Sequence, residues 1–284
     1  MELLDLRNKL PDDFVLLLIG DLHIGNNAVD IELLNRYIKY VIDHPEVYVS
    51  LGGDQIEAIV PTDKRFDLDC VDGTYNKADV QAKKVVELFE PIKDRVLWIL
   101  DGNHEDKIKN TLNVSAYIAD KLGIKYGTTT IKADFGIFKV LDWHGRGSCN
   151  SVVDDEVQAY NNEAKSVKRK LRRICHDCEF NFMHHIHKIR RWEPKSYLRV
   201  VDDGRNIRDG YINLNVIPRI PLDNGLYYIN DKDRYYASSG SVLRTYVLGH
   251  STYSEKAGYE TTDLGFVYLE VKNNKFLKLG ELIL

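Results

Sequence analysis

Aspartate, histidine and asparagine recur in this chain at one kind of place. Asp21-Leu22-His23, Gly53-Asp54, Gly102-Asn103-His104-Glu105 and His185-Ile186-His187 occur in that order, each directly after an apolar run, and His144 closes a further run. Carboxylate and amide oxygens together with imidazole nitrogens suit divalent cations of hard to borderline character. Taken alone, Asp21 or Asp54 reads as an aspartate capping a turn. Occurring together with His23, Asn103, His104, His144, His185 and His187, they read as the side chains of one metal centre.

Such a centre needs elements that bring five distant segments to one place. The runs at 14–19, 47–51, 95–100, 137–141 and 179–183 are short, apolar or β-rich, and several end at Gly. That is the signature of strands covered on both faces. Between them lie helical patterns. Asp30 is an N-cap candidate for a helix reaching about residue 44, with Ile31, Leu34, Ile38 and Val41 on one face. A second helix is expected from Asp79 to Glu90, with Val85, Leu88 and Phe89 inward. Alternating strands and helices put ligands at the carboxyl ends of strands, where open α/β sheets carry their sites. After about residue 190 the pattern changes to strand-like pieces at 197–201, 210–216, 226–229, 241–248, 265–271 and 276–284, expected to form a second sheet packed on the first.

Composition is consistent with one α/β domain. The chain has 284 residues, 44% of them hydrophobic, and no Pro/Ser-rich linker or internal repeat, so a single domain over 1–284 is expected. No apolar run approaches the length of a membrane span, and the acidic start lacks the basic and apolar regions of a signal peptide. A net charge of −4 gives no global attraction to nucleic acid. Cys70, Cys149, Cys175 and Cys178 are too few for a disulfide scaffold, which points to reduced thiols and a cytoplasmic protein without a membrane partner. Cys175-His-Asp-Cys178 has the spacing of half a zinc knuckle but lacks a second pair, and reads as buried thiols.

On the residues above, the chain resembles the calcineurin-like metallophosphoesterases, whose pattern is D-x-H, G-D, G-N-H-[D/E], an isolated His and G-H-x-H, matched here over positions 21–187. The resemblance implies a four-layer α-β-β-α sandwich of two mixed sheets with helices outside. It implies a first metal held by Asp21, His23 and His187, a second held by Asn103, His144 and His185, and Asp54 bridging both. Two cations roughly 3.5–4 Å apart can clamp a phosphoryl group and lower the pKa of a bound water. Mn²⁺ is the expected ion, with Fe, Zn, Co or Ni as alternatives.

By the same resemblance His104 is no ligand but reaches the scissile phosphate as charge stabiliser or proton donor. Glu57 is the candidate to orient it, three residues after Asp54. Two departures stand out. Ala58 occupies the place where protein phosphatases carry Arg, which argues against that substrate class, and His184 replaces the Gly before the H-x-H pair. His185 and His187 keep the one-residue gap, so His184 is expected to point away. His44, His176 and His250 read as ordinary histidines.

The substrate is expected to be a phosphoester, foremost a phosphodiester in DNA or RNA, with a phosphomonoester of a nucleotide or small metabolite as the alternative and a non-catalytic scaffold further behind. The nucleic-acid reading rests on a basic helical insertion at about 154–176. Ala164, Val167, Leu171 and Ile174 form its apolar stripe, and Lys165, Lys168, Arg169, Arg172 and Arg173 lie largely off it. Lys188, Arg190 and Arg191, just past the last motif, are expected to extend the patch. The competing reading is a solvated helix face. The segment 237–246 resembles the Gly-Ser turn that lies near the site in this family. The 58–78 loop and the tyrosines of the last third are further places where specificity could reside.

Overall fold

The structure is a computed structural model that describes residues 1–284 apart from 60–62, 64–65, 196, 203 and 213–216. Its elements in chain order are β1 (Glu2–Asp5), β2 (Phe14–Ile19), α1 (Ile31–Asp43), β3 (Val47–Leu51), α2 (Ala78–Phe89), β4 (Val96–Ile99), α3 (Asn103–Ile108), α4 (Val114–Leu122), β5 (Lys125–Tyr126), β6 (Thr130–Asp134) and β7 (Lys139–Trp143). There follow α5 (Glu156–Leu171), β8 (Phe180–Met183), β9 (Arg190–Trp192), β10 (Tyr197–Asp202), β11 (Ile207–Ile212), β12 (Ile220–Pro221), β13 (Tyr227–Tyr228), β14 (Tyr235–Ser238), α6 (Tyr253–Lys256), β15 (Phe266–Lys272) and β16 (Lys275–Leu282).

Two six-stranded mixed sheets form the centre, one in the order β16-β15-β2-β3-β4-β5 and the other β1-β6-β7-β8-β14-β9. Alternation along β2 shows how the layers stack. Leu16 and Leu18 face the second sheet, packing with Trp98, Ile131, Val140 and Phe182. Leu17 and Ile19 point the other way, into a core with α1, α2 and α4. On the outer face of the second sheet, Val167 and Leu171 of α5 pack on Leu141, Met183 and Tyr236. The four layers are therefore helix, sheet, sheet and helix, as expected.

Local chemistry sets the element bounds. The Asp30 carboxylate accepts the Leu33 N–H at 2.9 Å and starts α1. The Asp155 carboxylate accepts from Gln158 N–H at 2.6 Å and starts α5. Where the sequence suggests helix to about 176, α5 stops at Leu171, because the buried Arg234 guanidinium donates to the Cys175 and Arg172 carbonyls and turns the chain into β8.

The later strands depart from expectation. Rather than making a sheet of their own, β15 and β16 extend the sheet of β2, β14 lies between β8 and β9, and β10-β11 and β12-β13 are separate hairpins. The predicted strand at 210–216 appears as β11, and its end at 213–216 lies outside the described residues. The stretch 241–248 forms isolated bridges in place of a strand, because Ser241 Oγ donates to the Asp21 carbonyl at 2.6 Å and accepts from Leu243 N–H at 2.9 Å, turning the backbone. No helix among the described residues is long and apolar enough to cross a membrane.

Candidate metal centre

The carboxyl ends of β2, β3, β7 and β8 and the start of α3 meet at one end of the sandwich. Beyond β2 and β3 the two loops keep pairing, since Asp21 N–H donates to the Gly53 carbonyl and His23 N–H to the Asp54 carbonyl, both at 2.9 Å. Asp21, His23, Asp54, His185 and His187 all have left-handed backbone, with φ between 49° and 76°. Such conformations are uncommon outside Gly and collect at functional sites, where the surroundings hold them in place. One such restraint is Glu105 in the first turn of α3. Its buried carboxylate accepts N–H groups from Asp54, Gln55, Ile56 and Gly102 at 2.6–3.1 Å and fixes the Asp54 loop.

The side chains converge as two groups around Asp54. Asp21, His23 and His187 form one, with His23 Nε2 3.1 Å from His187 Nε2 and His187 Nε2 3.4 Å from Asp21 Oδ1. Asp54, His144 and His185 form the other, and Asn103 Oδ1 lies 3.3 Å from His144 Nε2. Asp54 Oδ2 stands between the groups, 3.8 Å from His23 Nε2 and 3.4 Å from His144 Nε2. Asp21 Oδ1 and His185 Nδ1 are buried without a hydrogen-bond partner, the state expected of atoms that bind an ion. All seven candidate ligands are thus brought together, and the donor set of carboxylate, amide and imidazole fits divalent metals.

Electrostatics point the same way. Burial opposes a charge on Asp54, but His144, His104 and His23 outweigh it and hold the carboxyl well below the usual carboxylate range. Burial likewise opposes the charge of Asp21, and His187 and His144 still bring it down to about 2. His144 is disfavoured as a cation by burial, yet Asp54 and Asp21 raise it to about 10. His185 goes the other way, to about 4, because burial and the neighbouring His144 keep it neutral. Concentrated negative charge beside imidazoles is what a cation would neutralise.

His104 sits beside the groups, its backbone N–H donating to Asp54 Oδ1 at 2.8 Å. Its Nδ1 is 2.5 Å from the Glu57 main-chain carbonyl, while the Glu57 carboxylate is 3.8 Å away and instead holds His23 Nδ1 at 2.9 Å. The expected pairing of the Glu57 carboxylate with His104 is thus replaced by a backbone contact, and the carboxylate braces a candidate ligand. His104 is raised above its ordinary pKa, burial opposing and Asp54 and Glu57 prevailing.

The site opens into a cleft of about 700 Å³ lined also by Asn26, Ile59, Ser148, Arg244, Tyr253 and Tyr259. Of the cations predicted to form the basic patch, only Lys188 lines it. Arg172 pairs with Asp231 at 3.0 Å, Arg190 with Glu163 and Asp263 at 2.6 and 2.8 Å, and Arg191 with Glu281 at 2.8 Å. Lys168 lies over the Trp192 ring, and Arg169 and Arg173 are exposed on the helix side. Among the described residues the cations at the cleft are Lys188, clasped by Glu163 and Glu260, and Arg244, bonded to Asp30. Sequence reading passed over Glu105 and Arg244. Glu105 was visible only as the last letter of its motif, and Arg244 carried no local signal.

His184 is fully buried and turned away from the cleft, its Nε2 3.1 Å from Asp142 Oδ1. Cys175 and Cys178 are buried thiols, and the adjacent Asp177 is taken by Lys132 and Lys139.

No family model matches the chain, and no curated protein does. Among solved structures the chain is similar to a novel archaeal phosphodiesterase, at 12% identity and a TM-score of 0.42, over 95% of this chain and 100% of that one. It is also similar to Yfce, a phosphoesterase from E. coli, at 11% identity and a TM-score of 0.38, over 94% and 98% of the two chains. A third similar structure is the Pseudomonas putida nuclease MPE, at 11% identity and a TM-score of 0.35, over 94% of this chain and 87% of that one.

Proposed function

We propose that this protein hydrolyses phosphoester bonds with a pair of divalent metal ions, and that its substrate is a compact, nucleotide-sized phosphoester. The observation that carries the reading is Asp54 Oδ2 standing between two imidazole groups at 3.4 and 3.8 Å, with orphaned donor atoms on Asp21 and His185 beside it. Asp21, His23 and His187 would hold one ion, Asn103, His144 and His185 the other, and Asp54 both. When bound, such a pair clamps a phosphoryl oxygen and makes hydroxide available near neutral pH. Mn²⁺ is the proposed ion, with Fe, Zn, Co or Ni as substitutes.

The chain supplies the rest. His104 is biased toward its protonated form, and with Nδ1 engaged by the Glu57 carbonyl its Nε2 is the nitrogen left to protonate the leaving oxygen. Glu57 keeps the His23 ring oriented through Nδ1. Arg244 is placed to bind phosphate oxygens that face the cleft mouth.

A polymer held through its backbone needs several phosphate contacts, and among the described residues the cleft is lined by two cations, each already paired with a carboxylate. That favours a small substrate over the expected DNA or RNA. The nucleic-acid reading keeps one support: Lys170 of α5 bonds the Arg146 and Gly147 carbonyls at the cleft rim, beside the exposed Arg146. Four buried thiols suit a reducing compartment, and cytoplasmic residence is part of the proposal.

Turnover of p-nitrophenyl phosphate, bis-p-nitrophenyl phosphate, nucleotides and single-stranded DNA with Mn²⁺ tests the reading. Metal-dependent turnover of the small esters well above that of DNA is expected. No turnover of any of them under any of the named metals refutes it, and a preference for DNA restores the nuclease.

A further inference from the structure

We infer that His184 is a positioning residue, a wedge that sets the spacing between the loops carrying Asp21 and Asp54; the inference rests on the metal-centre reading above. In the pattern this chain resembles, Gly stands at this place. Here the side chain is imidazole and nothing of it is exposed.

The ring lies against the two glycines that end β2 and β3. A Cβ on Gly20 would come within 2.4 Å of His184 Nδ1, and one on Gly52 within 2.1 Å of His184 Nε2. One ring thus fills the space over both glycines, which run side by side because Gly52 N–H donates to the Ile19 carbonyl at 2.7 Å. Asp21 follows Gly20 directly, and Asp54 follows Gly52 by one intervening glycine. A change in how the ring sits therefore moves both carboxylates.

The ring is itself held from the far side. His184 Nε2 meets Asp142 Oδ1 at 3.1 Å, and Asp142 Oδ2 accepts the indole N–H of Trp98 at 2.8 Å. Asp142 lies on β7 and Trp98 on β4, so the chain of bonds crosses from one sheet to the other. The His184 backbone N–H donates to the His144 carbonyl at 3.0 Å, and His144 Nδ1 in turn is 2.8 Å from the Gly52 carbonyl. The residues that follow β2, β3 and β7 each touch His184, which itself follows β8, and β4, which leads to Asn103, joins through Asp142 and Trp98. Packed interiors transmit such displacements because they have little free volume to absorb them.

The test compares wild type, His184→Gly and Asp142→Asn as intact chains, well below their melting temperatures. Mn²⁺ affinity is read by calorimetry, and turnover of bis-p-nitrophenyl phosphate is read separately. His184→Gly is expected to keep its circular dichroism while binding Mn²⁺ 10–100-fold more weakly, as for other groups that hold ligands in place. kcat should fall with little change in KM, and His184→Asn, which refills part of the space, should recover some of the affinity. A purely structural role predicts a lower Tm with unchanged affinity in the folded state, and that result overturns the inference. Should His184→Gly not fold, Asp142→Asn decides, since it keeps the volume and loosens the ring's anchor; wild-type Mn²⁺ affinity in that variant overturns the inference. If wild type binds Mn²⁺ but cleaves no phosphoester, the proposed function falls while the affinities still judge His184.

Discussion

The Glu57 carboxylate braces His23 rather than His104: Oε2 is 2.9 Å from His23 Nδ1 and 3.8 Å from His104 Nδ1. Glu57→Gln should therefore act on metal occupancy. We expect Mn²⁺ affinity to fall 10–100-fold, as for other carboxylates that orient a ligating imidazole, with no difference between good and poor leaving groups. A leaving-group-dependent loss at saturating metal would show that the carboxylate serves proton transfer instead.

Asp54→Asn and His104→Ala should separate binding from chemistry. A neutral amide bridges two cations poorly, so Asp54→Asn should empty both sites in metal analysis. His104→Ala should retain both ions while turnover drops by roughly 10²–10⁴-fold, less for p-nitrophenolate than for an alkoxide leaving group. Loss of an ion from His104→Ala would make His104 a ligand.

Metal-free and metal-bound protein should respond oppositely to pH. In the metal-free fold His144 is raised from 6.5 to about 10, so the stability it contributes is complete below pH 6.5 and is lost as pH rises toward 10. Ligation requires the neutral ring, so metal affinity should climb over the same interval and binding should release protons. Melting curves with EDTA and with Mn²⁺ from pH 6.5 to 10 check both slopes.

Arg244 and Arg190 should differ in kind. Arg244 lines the cleft and is half exposed, so Arg244→Ala should raise KM with little change in melting temperature. Arg190→Ala removes one of the two cations paired with the buried Glu163 and leaves Lys188, so it should cost about 2 kcal/mol in denaturant unfolding, the scale of one charge-assisted hydrogen bond, with its effect on KM secondary.

Much of the site was readable because its ligands sit within one to four residues of strand ends, and strands buried on both faces announce themselves as unbroken apolar runs such as 14–19. Alternation then separates Leu16 and Leu18 from Leu17 and Ile19 without further information. The rest depended on partners far along the chain. Arg190 looks like a free cation until Glu163 and Asp263, 27 and 73 residues away, are brought to it. The direction of the Glu57 carboxylate depends on where His23 lies, 34 residues back. β1 and β6 carry no clear strand signal because both are short and charged, and it is pairing with distant partners, β1 with β6 and β6 also with β7, that makes them strands.

The left-handed backbone at Asp21, His23, Asp54, His185 and His187 also restricts the vocabulary of the site. Among side chains with metal-binding atoms, Asp, Asn and His enter that conformation far more readily than others. Glutamate would be chemically equivalent to Asp21 or Asp54 as an oxygen donor, and cysteine would be a stronger ligand for zinc, but both fit the conformation less well. The path of the main chain thus favours oxygen and imidazole donors before any ion arrives, and evolution of this centre toward a thiolate site would require re-routing the loops first.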